Sequence, residues 1–193
     1  MVRPREFDEQ EALIAAMNVF WEKGYEAASL SDLTSRMGIR RPSLYAAFGG
    51  KKELFEAALS KYSELSLSFI QNRMRNTPTV KEAFRVYLYG IVDGAGENNP
   101  DFGCLCVNTM VELAPHDETF AAFTKDFQTK TIDIFEQTIA DGIRKGELSS
   151  TLNASSLAHA MMVSSIGLSV ARKSKPDRAY IANAVEEILK LLY

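Results

Sequence analysis

Apolar residues recur along this chain at spacings of three and four, the period that gathers them on one face of a helix. Leu13, Met17 and Phe20 form one such stripe, widened by Ile14 and Trp21, and predict a helix over 8–23 that stops at Gly24. Acidic Asp8, Glu9 and Glu11 crowd its first turn, where the helix dipole favours negative charge. Leu30, Leu33 and Met37 predict a second helix ending at Gly38, and Leu44, Tyr45 and Phe48 a third from about Arg41 to Gly49. A long fourth helix runs from Lys51 to about Arg75 through Leu54, Ala58, Tyr62, Leu65 and Phe69.

Pro78 breaks the pattern, and Phe84, Tyr87, Leu88 and Ile91 mark a fifth helix from Thr79. Residues 94–103 read as a Gly/Asn/Pro loop. The following CLCVNTMVEL reads as a helix by its polar interruptions, with a buried strand as the alternative from its start. Further helices are expected over 117–145, 153–173 and 177–193. The expected fold is all-α, with about nine helices: a three-helix domain over 1–50, and a bundle over 51–193 entered through the linking helix 51–75.

The stretch SLSDLTSRMGIRRPSLYAAFGGKKELF, from Ser29 to Phe55, carries the sharpest local signals. Ser29 lies three residues before Asp32, the spacing at which two side chains cap a helix reciprocally. Gly38 fits a left-handed helix end, and Pro42 fits only a first turn. Two short helices joined by a tight Gly-containing turn form a helix-turn-helix. Between Arg36 and Lys52 there are five basic residues and no acidic one, although the chain as a whole carries a net charge of −3. Such a patch on a helix-turn-helix is the electrostatic footprint of a DNA-binding surface. Charge alone would favour a solvated loop between two core helices; its coincidence with the caps, turn and Pro favours DNA.

From about Phe7 to Tyr62 the chain resembles the DNA-binding module of the TetR/AcrR family of bacterial transcriptional repressors. The resemblance rests on Gly24, Tyr25, Ser29, Leu30, Leu33, Gly38, Ser43, Leu44, Tyr45, Phe48, Lys51, Leu54 and Phe55 at the family's offsets. Arg40, Ala47 and Lys52 depart from it, where the family has Ser, a polar residue or His, and an acid. Losing Ser at position 40 removes an N-cap worth about 1 kcal/mol. The two added charges imply altered phosphate contacts or altered base preference.

Composition is that of an ordinary globular protein, and the sequence lacks the constellation that an enzyme reading needs. Hydrophobic residues make up 46% and charged residues 24%, as in ordinary globular proteins. There is no P-loop, GxSxG or GxGxxG. His116 reads as a loop residue and His159 as a core one, neither with a second metal ligand at a suitable spacing. No catalytic residue, metal or cofactor is expected. The expected location is cytoplasmic: the first residues lack a signal-peptide core, and Ala158–Ala171 is too short and Ser-rich for a membrane span. Cys104 and Cys106 form C-x-C, whose side chains would point about 200° apart on a helix. Buried, inert thiols are the plain reading. The sharper one is that Cys104 reacts with electrophiles, since Gly103, Cys104 and Leu105 resemble a stretch found in electrophile-responsive family members.

The expected function is a DNA-binding repressor released from a palindromic operator by a small-molecule or electrophile effector. Arg40, Arg41 and Ser43 are candidates for base or nearby backbone contact, because Arg can grip guanine in the major groove. Tyr45, Lys51 and Lys52 are candidates for phosphates, and Ser29 for a cap that also touches phosphate. Tyr45 is alternatively part of the core. The resemblance implies an effector cavity in 51–193, with Phe69, Tyr87, Phe102, Cys104, Met110, Phe127 and Met162 as candidate lining, and core packing as the alternative for each. It also implies a homodimer through helices 153–173 and 177–193, suited by the small residues Ser164, Ser165, Gly167 and Ser169. A helical small-molecule or thiol-sensing protein that does not bind DNA is the competing reading.

Overall fold

The computed structural model describes residues 7–93 and 102–193. Residues 1–6 and most of the 94–103 loop lie outside them. Among the described residues the fold is all-α, with nine α-helices and a closing 3₁₀ turn. The helices are α1 Glu9–Lys23, α2 Leu30–Met37, α3 Arg41–Phe48, α4 Lys51–Asn76, α5 Val80–Asp93, α6 Leu105–Glu112, α7 Glu118–Arg144, α8 Ala154–Arg172 and α9 Arg178–Leu189. Residues 105–112 are thus helix rather than strand. The chain divides into two compact units, 1–64 and 65–193, and the division falls inside α4.

In the first unit α1 packs on α2 and α2 on α3. Phe20, Leu33, Leu44, Leu54 and Phe55 are essentially solvent-free. Phe20 meets Phe55 edge-on at 4.8 Å between ring centres. The buried face of α1 is Ala12, Ala16, Met17, Val19 and Phe20, while Ile14 is 42% exposed. The expected stripe was therefore rotated from the true one. Alanines carried the difference: they seat a helix closely without standing out in an apolar pattern.

The second unit is built on α5, α7, α8 and α9, with Phe84, Leu88, Phe135, Ile139, Ala158 and Met161 fully enclosed. Phe135 meets Phe84 and Tyr87 edge-on at 5.1 and 5.2 Å. Thr124 and Thr131 are buried in α7 and donate to the carbonyls of Phe120 and Phe127, so their hydroxyls are satisfied inside an apolar face. Gly142 lets α5 start against α7: a Cβ there would lie 2.7 Å from Val80 Cγ2.

Two expectations change. In α4 the buried residues beyond the middle are Ser63, Ile70 and Met74, and Leu65 and Phe69 are 46% and 42% exposed. A helix shared by two units need not keep one continuous apolar face. In α8, Ser165 and Ser169 are buried and donate to the carbonyls of Met161 and Ser165. They serve the chain's own core, and the outward face presents Val163, Gly167 and Val170. At 19 residues α8 is long and apolar enough to cross a membrane by length and composition only, a test that the core helix of a globular protein also passes.

Candidate nucleic-acid interface

α2 is fastened at its start by side chains. Ser29 Oγ accepts from the Asp32 N–H at 3.0 Å. Asp32 Oδ2 in return accepts from Ser29 N–H at 3.0 Å and Ser29 Oγ at 2.7 Å. Lys23 Nζ adds a 2.7 Å ion pair to the other carboxylate oxygen. Lys23 first, then Ser29, hold the Asp32 carboxyl far below the usual carboxylate range. Ser29 is therefore a cap whose two polar hydrogens are both committed to Asp32. At the other end Gly38 adopts φ 69°, and its N–H closes on Thr34 and Ser35.

α3 begins differently. Arg40 is its N-cap in extended geometry with no side-chain cap bond, as expected where Arg replaces Ser. Pro42 occupies the first turn, and Leu44 is the helix's one buried residue. Arg40, Arg41, Tyr45 and Lys52 are exposed, and Ser43 is half-buried. Tyr45 is 50% exposed, which places it on the surface rather than in the core. Arg36 is drawn off to Glu22 at 3.4 Å. Lys51 is half-buried, with its ammonium 4.5 Å from the centre of the Tyr25 ring and 3.3 Å from the Glu26 carbonyl oxygen. One short helix thus presents its polar surface outward, with Leu44 as its one buried residue and Ala47 and Phe48 half-buried.

In the second unit, Cys104 is the N-cap of α6 in extended geometry. The 200° divergence expected of two helical positions therefore does not apply; burial first, then the neighbouring Cys104, pushes the Cys106 thiol up. Both cysteines are free, Cys104 half-buried and Cys106 buried. Phe127 and Met162 are buried, Tyr87, Phe102 and Met110 are half-buried, and exposed Phe69 carries the Arg73 guanidinium over its ring. Burial raises the Tyr87 phenol well above its ordinary value, against the opposing effect of a hydrogen bond with Ser165. A cleft of about 340 Å³ between the end of α4, the α4–α5 turn and α7 is lined by Arg75, Thr79, Gln137, Lys145 and Glu147, among others, and by none of the expected effector residues. His159 is exposed on α8, not in the core.

Residues 12–58 match the family model of bacterial regulatory proteins of the tetR family, and residues 83–188 match the tetracyclin repressor-like C-terminal domain. The chain belongs to the TetR family. It is a DNA-binding transcriptional regulator, and its relatives are regulators rather than enzymes. An uncharacterized HTH-type transcriptional regulator, YezE of Bacillus subtilis, is 31% identical over 193 residues and is covered end to end, as is this chain. The HTH-type transcriptional repressor ComR of Escherichia coli is 28% identical, over 89% of this chain and 82% of its own. A cysteine mutant of the TetR family regulator CifR, complexed with 26 bp double-strand operator DNA, superposes with a TM-score of 0.87 at 33% identity, covering 99% of this chain and 100% of CifR.

Within the TetR frame, the residues read as contacts separate into two groups. Arg40, Arg41, Ser43 and Tyr45 lie on or beside one exposed helix, whereas Lys51 is engaged by Tyr25 and Glu26. Sequence reasoning gave Tyr25 no part in DNA binding and missed this contact. Its ring also packs on Phe55 at 5.1 Å, so Tyr25 joins Lys51 to the core.

Proposed function

We propose that this TetR-family regulator is a homodimeric repressor that sits on a palindromic operator and leaves it when an effector binds. The observation that carries the reading is α3, an uncapped helix whose exposed surface is led by two arginines. Arg40, Arg41 and Ser43 read base edges or the adjoining backbone in the major groove, while Tyr45, Lys51 and Lys52 grip phosphates. Ser29 acts through its cap. The duplex operator held by CifR supports a duplex operator here.

One short helix touches few base pairs, so two copies are needed to specify a site. The outward residues Val163 (69% exposed) and Val170 of α8, with Tyr180 (69%) of α9, support pairing of these two helices with their symmetry mates. The effector is an apolar small molecule or an electrophile received near Tyr87, Cys104, Met110 and Met162. Phe69 is dropped from this group because its ring is exposed. An effector that displaces α4 would move the two recognition helices off the spacing of about 34–36 Å between successive major grooves.

Selection of bound DNA from a random pool, followed by anisotropy titrations across a salt series, tests the reading. A palindrome should emerge, and log K should fall with log salt by about 0.9 per phosphate contact. No enriched sequence and no salt dependence would reject it. Light scattering of the free protein should give a dimer. Treatment with an electrophile, with alkylation of Cys104 confirmed by mass spectrometry, should release the operator; retention would remove the thiol from the mechanism.

A further inference from the structure

We infer that Tyr25 is a positioning residue for DNA binding: its ring and the neighbouring Glu26 carbonyl hold the Lys51 ammonium at the start of α4, aimed at a backbone phosphate. The inference rests on the operator-binding reading above and adds to it a residue that does not touch DNA.

The geometry starts from the ring. Tyr25 lies 5.1 Å from Phe55 and 6.2 Å from Phe20, so two core aromatics fix its plane. The Lys51 ammonium stands 4.5 Å from the centre of that ring. An aromatic face carries partial negative charge and attracts a cation at this distance. The Glu26 carbonyl accepts from the same ammonium at 3.3 Å. Three N–H bonds leave a lysine nitrogen. The carbonyl takes one and the ring faces the group from another side, which leaves donor capacity for an anion.

The place matters as much as the hold. Lys51 is the first residue of α4, where backbone N–H groups lack helical partners and the dipole is positive. A lysine on a free four-carbon stem must be immobilised to contact a phosphate here. One already held by a ring and a carbonyl has lost most of that freedom in the free protein, and binds with a smaller entropic cost. The ring and the carbonyl are both uncharged, so the hold they supply does not itself neutralise the ammonium. An acidic partner, such as Glu22 for Arg36, would cancel it.

A double-mutant cycle tests the assignment by anisotropy against the selected operator, in the folded dimer. Lys51→Ala should weaken binding and lower the salt slope by about 0.9 for each subunit's contact. Tyr25→Leu should weaken binding about two- to five-fold per half-site while Lys51 is present, and have no effect in the Lys51→Ala background. Tyr25→Phe keeps the ring and should bind like wild type. Equal losses from Tyr25→Leu in both backgrounds, or no loss in either, would overturn the inference and leave the operator reading intact. No change from Lys51→Ala would overturn the inference as well, because Tyr25 would then have no phosphate contact to position, and would leave the operator reading to stand on α3. Should Tyr25→Leu fail to fold, the Lys51 side-chain resonances of the unaltered protein decide. A ring-current shift that persists in the operator complex supports the assignment; its loss on binding DNA overturns it.

Discussion

α2 and α3 are each eight residues long and are separated by three residues, yet they are secured in opposite ways. α2 has a reciprocal cap, an ion pair to α1, a left-handed glycine at its end and two buried residues, Leu33 and Met37. α3 has no side-chain cap and one buried residue, Leu44. A supporting helix spends its polar side chains on its own termini. On the proposed reading α3 leaves them available for DNA, and it is held by Leu44, by a proline that presets its first turn, and by its neighbours. The weakness of α3 as an isolated helix is the condition of its use.

The strongest way to break this contrast is to remove the anchor. Leu44→Ala should cost about 2–5 kcal/mol in urea unfolding and abolish operator binding, because nothing else on α3 is buried. Next in size, Arg41→Ala should leave stability within about 0.5 kcal/mol and weaken operator binding by about 1–3 kcal/mol, measured by anisotropy. A comparable stability loss would mean that α3 depends on its arginines for its own structure. Exchanging the caps sharpens the comparison further. Ser29→Ala should destabilise by about 1 kcal/mol, whereas Arg40→Ser should stabilise by roughly 0.5–1 kcal/mol while weakening DNA binding.

The smallest effect concerns pH. The Asp32 carboxyl has its pKa depressed by Lys23 and Ser29, so the folded state binds its proton less readily than the unfolded state. Its contribution is complete above the ordinary value of 3.8 and is lost as pH falls below it. Thermal unfolding between pH 7 and pH 2 should show part of the acid-side loss disappear in Asp32→Asn. An unchanged profile would show that the cap gains nothing from its charge.

The helix-turn-helix was legible because its signals are local. Ser29 with Asp32, Gly38 and Pro42 act on backbone groups one to five residues away, and the observed limits of α2 and α3 follow from them. The second unit was less legible. Its helices were found, since 3.6-residue periodicity survives without knowledge of the partner. Which way the small residues of α8 face was not, because a serine that bonds its own i−4 carbonyl can sit in a core or on a surface. Ser165 and Ser169 took the core. The cysteine pair shows the same limit: Cys104 caps α6 rather than lying within it, so an angle reckoned between two helical positions does not describe the pair.

By itself, then, the sequence determined the helices, the caps, the turn and the family, all of which depend on spacing along the chain. Tertiary structure alone decided the company each side chain keeps. It turned Phe69 outward, gave Ser29 wholly to Asp32, and set Lys51 over Tyr25, its neighbour in space but 26 residues away in sequence. Such pairings depend on how α1 and α4 pack about Phe20 and Phe55, and packing follows from the summed shape of many side chains rather than from any short pattern.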